Sequence, residues 1–308
     1  MKKIIALLLC LVLVCTVFTS CGTEKEVDFK YPRVATTSHV IADWVWNILD
    51  GSYDTFQITL LADEGKDMHN YQPSAADMRN IATADLVVYI GGESDKWVED
   101  AVKSVGGDVK TLKLLDLIQE HNEECADLHS HGTDEHIWLS FENAIKCVRA
   151  IADTLCDIDA EKSEIYRNNA DEYTANLDEL YGEYKSAVSG AKYKTLVFAD
   201  RFPFVYLMEE LGLDYYAAFP GCSSETSASF ETVITLARKI DELSLPCVLT
   251  IESSSDGIAE TVVENTSSKS AQILALDSMQ IMNGEGFDYL AVMKSNLLIL
   301  KTALGCGI

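Results

Sequence analysis

Two histidines carry the strongest chemical signal in this chain. His69 lies in Asp67-Met68-His69-Asn70-Tyr71-Gln72-Pro73, and His136 in Asp134-Glu135-His136-Ile137-Trp138-Leu139, each where a strand-like run gives way to a capped helix. A neutral imidazole presents one nitrogen lone pair to a metal ion. Two such rings on separate loops can converge on one ion, and the chemistry that suits them is metal capture.

What must position these rings is an alternation of strands and helices. Residues 33–37 and 56–61 read as strands around an amphipathic run over 40–49. Ser74 starts the next helix as its N-cap, with Asp77 three residues on as the reciprocal capping carboxylate, and that helix ends near Thr83. Leu86-Val87-Val88-Tyr89-Ile90-Gly91-Gly92 is a continuous apolar run closed by glycines, the pattern of a strand buried on both faces of a parallel sheet. Between 161 and 188 apolar and aromatic residues recur at three- and four-residue steps without proline, which predicts a long amphipathic helix. Alternation then resumes, with strands over 195–199, 215–219, 247–251 and 272–276 and helices over 203–211, 229–243, 255–266 and 287–304. The fold class is therefore α/β: two lobes, each with a mostly parallel sheet flanked by helices, joined by one long helix. The boundaries read as an N-terminal lobe over 31–158, a linking helix over 159–190 and a C-terminal lobe over 191–308. A ligand belongs in the cleft between the lobes.

The N-terminus has a basic start at Lys2 and Lys3, an apolar run over 4–18 and then Thr19-Ser20-Cys21. That run is too short to span a bilayer, so residues 1–20 read as a signal peptide. Cys21 at the junction reads as a bacterial lipobox thiol and lipidation site, with residues 21–30 as the tether of a membrane-anchored, extracytoplasmic protein. The chain carries a net charge of −25, which argues against nucleic acid and anionic lipid as partners and concentrates cations near the surface. Of its nine cysteines, six lie beyond Cys21 (Cys125, Cys147, Cys156, Cys222, Cys247 and Cys306), with no C-x-x-C spacing and no regular framework.

These pieces together resemble the zinc/manganese-binding lipoproteins of ABC importers, the cluster A-I solute-binding proteins. The resemblance runs from about Tyr31 to the C-terminus. It rests on Asp67 to Ser74, on Ala84 to Gly92, on Asp134 to Leu139 followed by Asn143-Ala144, and on Ala275-Leu276-Asp277-Ser278. It implies a rigid linking helix, a bound Zn²⁺ or Mn²⁺ between the lobes, and a monomer that delivers the ion to an ABC permease. Carried over by position, His69 and His136 match the two N-lobe ligands, and Asp277 matches the C-lobe carboxylate. The departure lies at Phe198-Ala199-Asp200-Arg201, where the family's usual ligand falls opposite Arg201, and a guanidinium stays protonated and cannot coordinate a cation. Asp200 is then either a substitute ligand or the partner of Arg201 in an ion pair. Glu225 and His39 are further candidates to complete the sphere. A polar loop over 120–132 carries His121, His129 and His131, which the resemblance casts as a metal-gathering loop, against the plainer reading of a solvated loop.

Two other classes compete. The run His129 to His136 approaches the His-x-His-x-Asp-His cluster of zinc-dependent hydrolases, but its spacing is wrong and His136 is the last histidine, so the chain reads as no enzyme. A lipoprotein of this architecture could instead act as an adhesin or bind another solute, since fold alone does not name a ligand.

Overall fold

The computed structural model describes residues 32–49, 57–61, 65, 67–106, 109–119, 134–219, 228–252, 255–281 and 286–306. Cys21, the loop with His121, His129 and His131, and Glu225 lie outside the described residues. The first half runs β1 (Arg33–Thr36), α1 (His39–Ile48), β2 (Gln57–Leu60), α2 (Ala75–Thr83), β3 (Leu86–Tyr89), α3 (Lys96–Val105), β4 (Lys110–Lys113) and α4 (Leu114–Gln119). After α5 (Phe141–Ile158) and α6 (Ser163–Ser189) the second half runs β5 (Thr195–Phe198), α7 (Val205–Leu211), β6 (Asp214–Ala217), α8 (Phe230–Leu243), β7 (Cys247–Ile251), α9 (Gly257–Glu264), β8 (Gln272–Leu276) and α10 (Tyr289–Ala303). None of the described helices is long and apolar enough to cross a membrane.

Each half builds one four-stranded sheet, in the orders β2-β1-β3-β4 and β6-β5-β7-β8, and every pairing is parallel. The same winding repeats, so each sheet reverses direction of travel once, between β1 and β3 and between β5 and β7. Such switch points open a crevice at the carboxyl ends of the strands. The inner strands β3 and β7 are buried along their whole length, as their apolar runs require. Side chains alternate between faces: Val34, Leu86 and Val88 join the main core, while Ala35, Val87 and Tyr89 pack on the other face under α2 and α3. Local capping agrees with the sequence, since Ser74 and Asp77 form the reciprocal capping box of α2.

α6 is 27 residues long, about 40 Å of helix. Its stripe Tyr166, Ala170, Tyr173, Leu177, Leu180 and Tyr184 is buried in the main core. The first half of this helix is tied to α1, where Tyr173 Oη donates to Asp43 at 2.9 Å, and the second half to α10, where Tyr184 Oη donates to the Met293 carbonyl at 2.6 Å. One rod thus ties both halves. The strand β4 escapes the sequence reading because Lys-Thr-Leu-Lys is neither apolar nor evenly alternating. It is an edge strand, where lysines deter pairing with another chain.

Candidate metal centre

Both histidines are set by the same local device. Asp67 Oδ1 accepts the His69 backbone N–H at 3.0 Å, and Asp134 Oδ1 accepts the His136 backbone N–H at 2.8 Å. Each is an Asx turn in an Asp-x-His triplet; the first overlaps a 3-10 turn, Met68–Asn70, and the second leads into one, Ile137–Leu139. The aspartates hold both loops as platforms for the rings.

The side chains are then oriented through Nδ1. The His69 Nδ1 sits 2.6 Å from Ser94 Oγ and 3.1 Å from Glu135 Oε1, and Ser94 Oγ in turn donates to Glu135 at 2.8 Å. The His136 Nδ1 sits 2.7 Å from Asp134 Oδ1. With an acceptor at each Nδ1, the neutral rings carry their hydrogen there and leave the lone pair on Nε2. These two Nε2 atoms face each other at 3.3 Å. Lone pairs at that distance repel unless something positive lies between them. Two nitrogens on one tetrahedral Zn²⁺, each about 2.0–2.1 Å from the ion, lie about 3.3–3.4 Å apart. The residues present therefore fit a metal ion, and each imidazole already has the carboxylate support typical of zinc ligands.

Burial sharpens the electrostatics. The His136 side chain is 2% exposed and that of His69 16%. Burial pushes the His69 imidazolium pKa down, but the hydrogen bond and charge of Glu135, with Asp67, outweigh it and leave it above the usual value, against the opposing charge of Arg201. Glu135 is pushed up by burial and brought below its usual range by His69 and by two bonds from Ser94. The glycine pair Gly91-Gly92 now has a reason. Gly92 has a φ of +81°, and a Cβ there would stand 2.6 Å from Glu135 Oε2, so Gly92 is the seat of the carboxylate that orients His69.

The remaining candidates occupy different places. Asp277, half-buried at the end of β8, accepts the Met279 N–H at 2.8 Å, and burial followed by the charge of Glu252 raises its pKa. The segment after it lies against both imidazole loops: Trp138 Nε1 donates to the Ser278 carbonyl at 3.0 Å and Met68 N to the Gln280 carbonyl at 3.1 Å. Asp200 is turned to backbone, accepting the Arg201 N–H at 2.7 Å and the Ile251 N–H at 3.3 Å. Arg201 does not pair with Asp200 through its guanidinium; it reaches Asp67 at 3.1 Å. His39 is 3% exposed, its ring edge-on to Phe287 with centroids 4.1 Å apart, and burial lowers its pKa to about 4. Among the described residues no three His, Cys, Asp or Glu side chains are gathered to hold an ion, so only the imidazole pair is brought together. Sequence reasoning passed over the orienting roles of Ser94, Asp134 and Glu135; the repeated Asp-x-His triplet was the available signal for Asp67 and Asp134.

The chain is similar to several known proteins. Relatives include the zinc-binding protein AdcA of Streptococcus pyogenes serotype M3, 26% identical over 98% of this chain and 61% of its own length. The high-affinity zinc uptake system protein ZnuA of Bacillus subtilis is 28% identical over 92% of this chain and 93% of its own. This chain thus spans about 61% of the length of the AdcA proteins. Among solved structures, the metal-dependent lipoprotein YcdH of Bacillus subtilis superposes with a TM-score of 0.73 at 27% identity, covering 89% of this chain and 99% of that one. The Zn(II)-bound ZnuA-like domain of Streptococcus pneumoniae AdcA gives 0.71 at 26%, with the same coverage. The pattern of the family described as "Zinc-uptake complex component A periplasmic" matches residues 34–303, and the chain belongs to that family.

Proposed function

We propose that this chain is an extracytoplasmic, non-enzymatic receptor that captures Zn²⁺ and passes it to the permease of an ABC importer. The observation that carries this reading is the pair of Nε2 atoms of His69 and His136 at 3.3 Å, each ring anchored through Nδ1. In this reading Asp277, at the end of β8, is the next ligand, because the segment that follows it is hydrogen-bonded to both imidazole loops. Two imidazoles and a carboxylate favour Zn²⁺ and admit Mn²⁺. Since Asp200 is bonded to backbone N–H groups, a fourth donor comes from Glu225, His39 or water. His121, His129 and His131 gather ions for the site. Residues 31–158 and 191–308 form the lobes, with 159–190 as the link, and Cys21 carries the lipid that tethers the monomer to the bacterial cell membrane.

Metal analysis of protein purified without chelator, followed by competition titration against a zinc chelator, tests the assignment. One zinc per chain is expected, with affinity reduced at least ~10–100-fold in His69→Ala, His136→Ala and Asp277→Ala. Unchanged affinity in either histidine variant overturns the site.

A further inference from the structure

The C-terminal half meets both imidazole platforms through the stretch from Arg201 to Glu210. The Arg201 guanidinium donates to Asp67 Oδ2 at 3.1 Å, and the other oxygen of Asp67 holds the His69 backbone. Tyr206 Oη donates to the Asp134 carbonyl at 2.8 Å, and the Asp134 carboxylate holds His136. Glu210 accepts the Phe141 and Glu142 N–H groups at 3.0 and 2.9 Å, capping α5 just beyond the second platform. The root of this arm is pinned in turn, since Asp200 ties Arg201 to the end of β7. One segment of the second half therefore holds the residues that hold both metal-facing rings.

We propose that Arg201, backed by Tyr206, is an interlobe latch that keeps the two imidazole platforms in place and slows release of the captured ion without touching it. This rests on the zinc-capture reading above. A guanidinium cannot coordinate a cation, so the side chain at this position must act through something else. Its partner is Asp67. The pair is largely sheltered, at 24% and 15% side-chain exposure, so solvent and salt screen it less than a surface pair. Two opposing effects need weighing. An isolated positive charge would repel the ion, but a guanidinium 3.1 Å from a carboxylate presents mainly a dipole, whose field falls off faster. Positioning then dominates over repulsion.

The test is zinc release measured by stopped flow into a fluorescent chelator, with the full chain and four variants. Arg201→Gln and Arg201→Met should release zinc ~10-fold faster, as expected for loss of a charge-assisted bond. Tyr206→Phe should release it about threefold faster, as for a neutral bond, and Arg201→Lys should stay within about twofold of wild type. Amide exchange in the metal-free protein should rise at residues 67–71 in Arg201→Gln and at residues 134–139 in Tyr206→Phe, and at neither in Arg201→Lys. Release that is unchanged or slower in both Arg201→Gln and Arg201→Met, or exchange that does not change, overturns the latch. Should Arg201→Gln fail to fold, Tyr206→Phe and Arg201→Lys still decide it by the ratio of their rates. Failure of the wild type to hold one zinc per chain would instead defeat the capture reading, which separates the two.

Discussion

Gly92→Ala should weaken zinc binding although Gly92 has no atom that could touch the ion. The added Cβ would sit 2.6 Å from Glu135 Oε2, closer than any tolerated contact, and a tight 3.0 Å from Glu135 Cβ, so the Glu135 side chain must move. Moving it breaks the 3.1 Å bond from Ser94 N and the 3.1 Å contact with His69 Nδ1. Loss of such outer support costs about 10–100-fold in metal affinity, or about 1.4–2.7 kcal/mol. The φ of +81° adds a backbone cost of about 1–2 kcal/mol to folding, which must be separated from the effect on zinc. Gly106 supplies the control, because its φ is +63° and a Cβ there meets nothing within 4 Å. Gly106→Ala should lose comparable stability in urea and keep its zinc affinity. Competition titration of the two variants reads the difference. Equal affinity losses, or no loss in Gly92→Ala, would refute the link from Gly92 through Glu135 to His69.

Further outcomes follow from the same geometry. Zinc affinity should begin to fall at a higher pH than for an ordinary imidazole pair, since the raised His69 pKa lets a proton compete earlier; Glu135→Gln should move that onset to lower pH, read by titration across pH 5–8. His39 is buried with its pKa lowered to about 4, so the neutral ring contributes stability that is fully present above the unfolded value near 6.5 and is lost as pH falls from there towards 4. Against His39→Gln, the wild type should therefore lose about 3 kcal/mol more between pH 7 and pH 4, measured by urea denaturation at each pH. Asp200→Asn should lower stability more than zinc affinity, and Asp277→Asn the reverse; a sharp zinc loss in Asp200→Asn with intact stability would restore Asp200 as a ligand. Cys21→Ala should leave the detergent phase on partitioning, and retention there at the mature mass sinks the lipid anchor.

Much of this protein was legible in one dimension. The apolar runs at β3 and β7 announced strands covered on both faces, because a parallel strand between helices has no polar side to show. The three- and four-residue stripe of α6 and the Ser74–Asp77 cap are local patterns, set by helix geometry within a few residues, and they appear as read. Edge strand β4 was not legible, since of its four residues only Leu112 packs against the core. His69 and His136 were recognisable as candidates by type and context.

Tertiary structure decided what those side chains do. Residues 67 apart in sequence bring two Nε2 atoms to 3.3 Å, a separation that no spacing rule encodes because it depends on where two loops end over one sheet. It also assigned partners that sequence order misleads. Arg201 follows Asp200, yet a guanidinium at the end of a long stem reaches across to Asp67, while Asp200 turns back to the N–H groups at the strand ends. Glu135 is next to His136 in the chain but serves His69, because adjacent side chains leave the backbone in different directions. Residue types set the chemistry available here, and folding chose which groups meet, since hydrogen bonds and charges act over a few ångströms of space and are blind to distance along the chain.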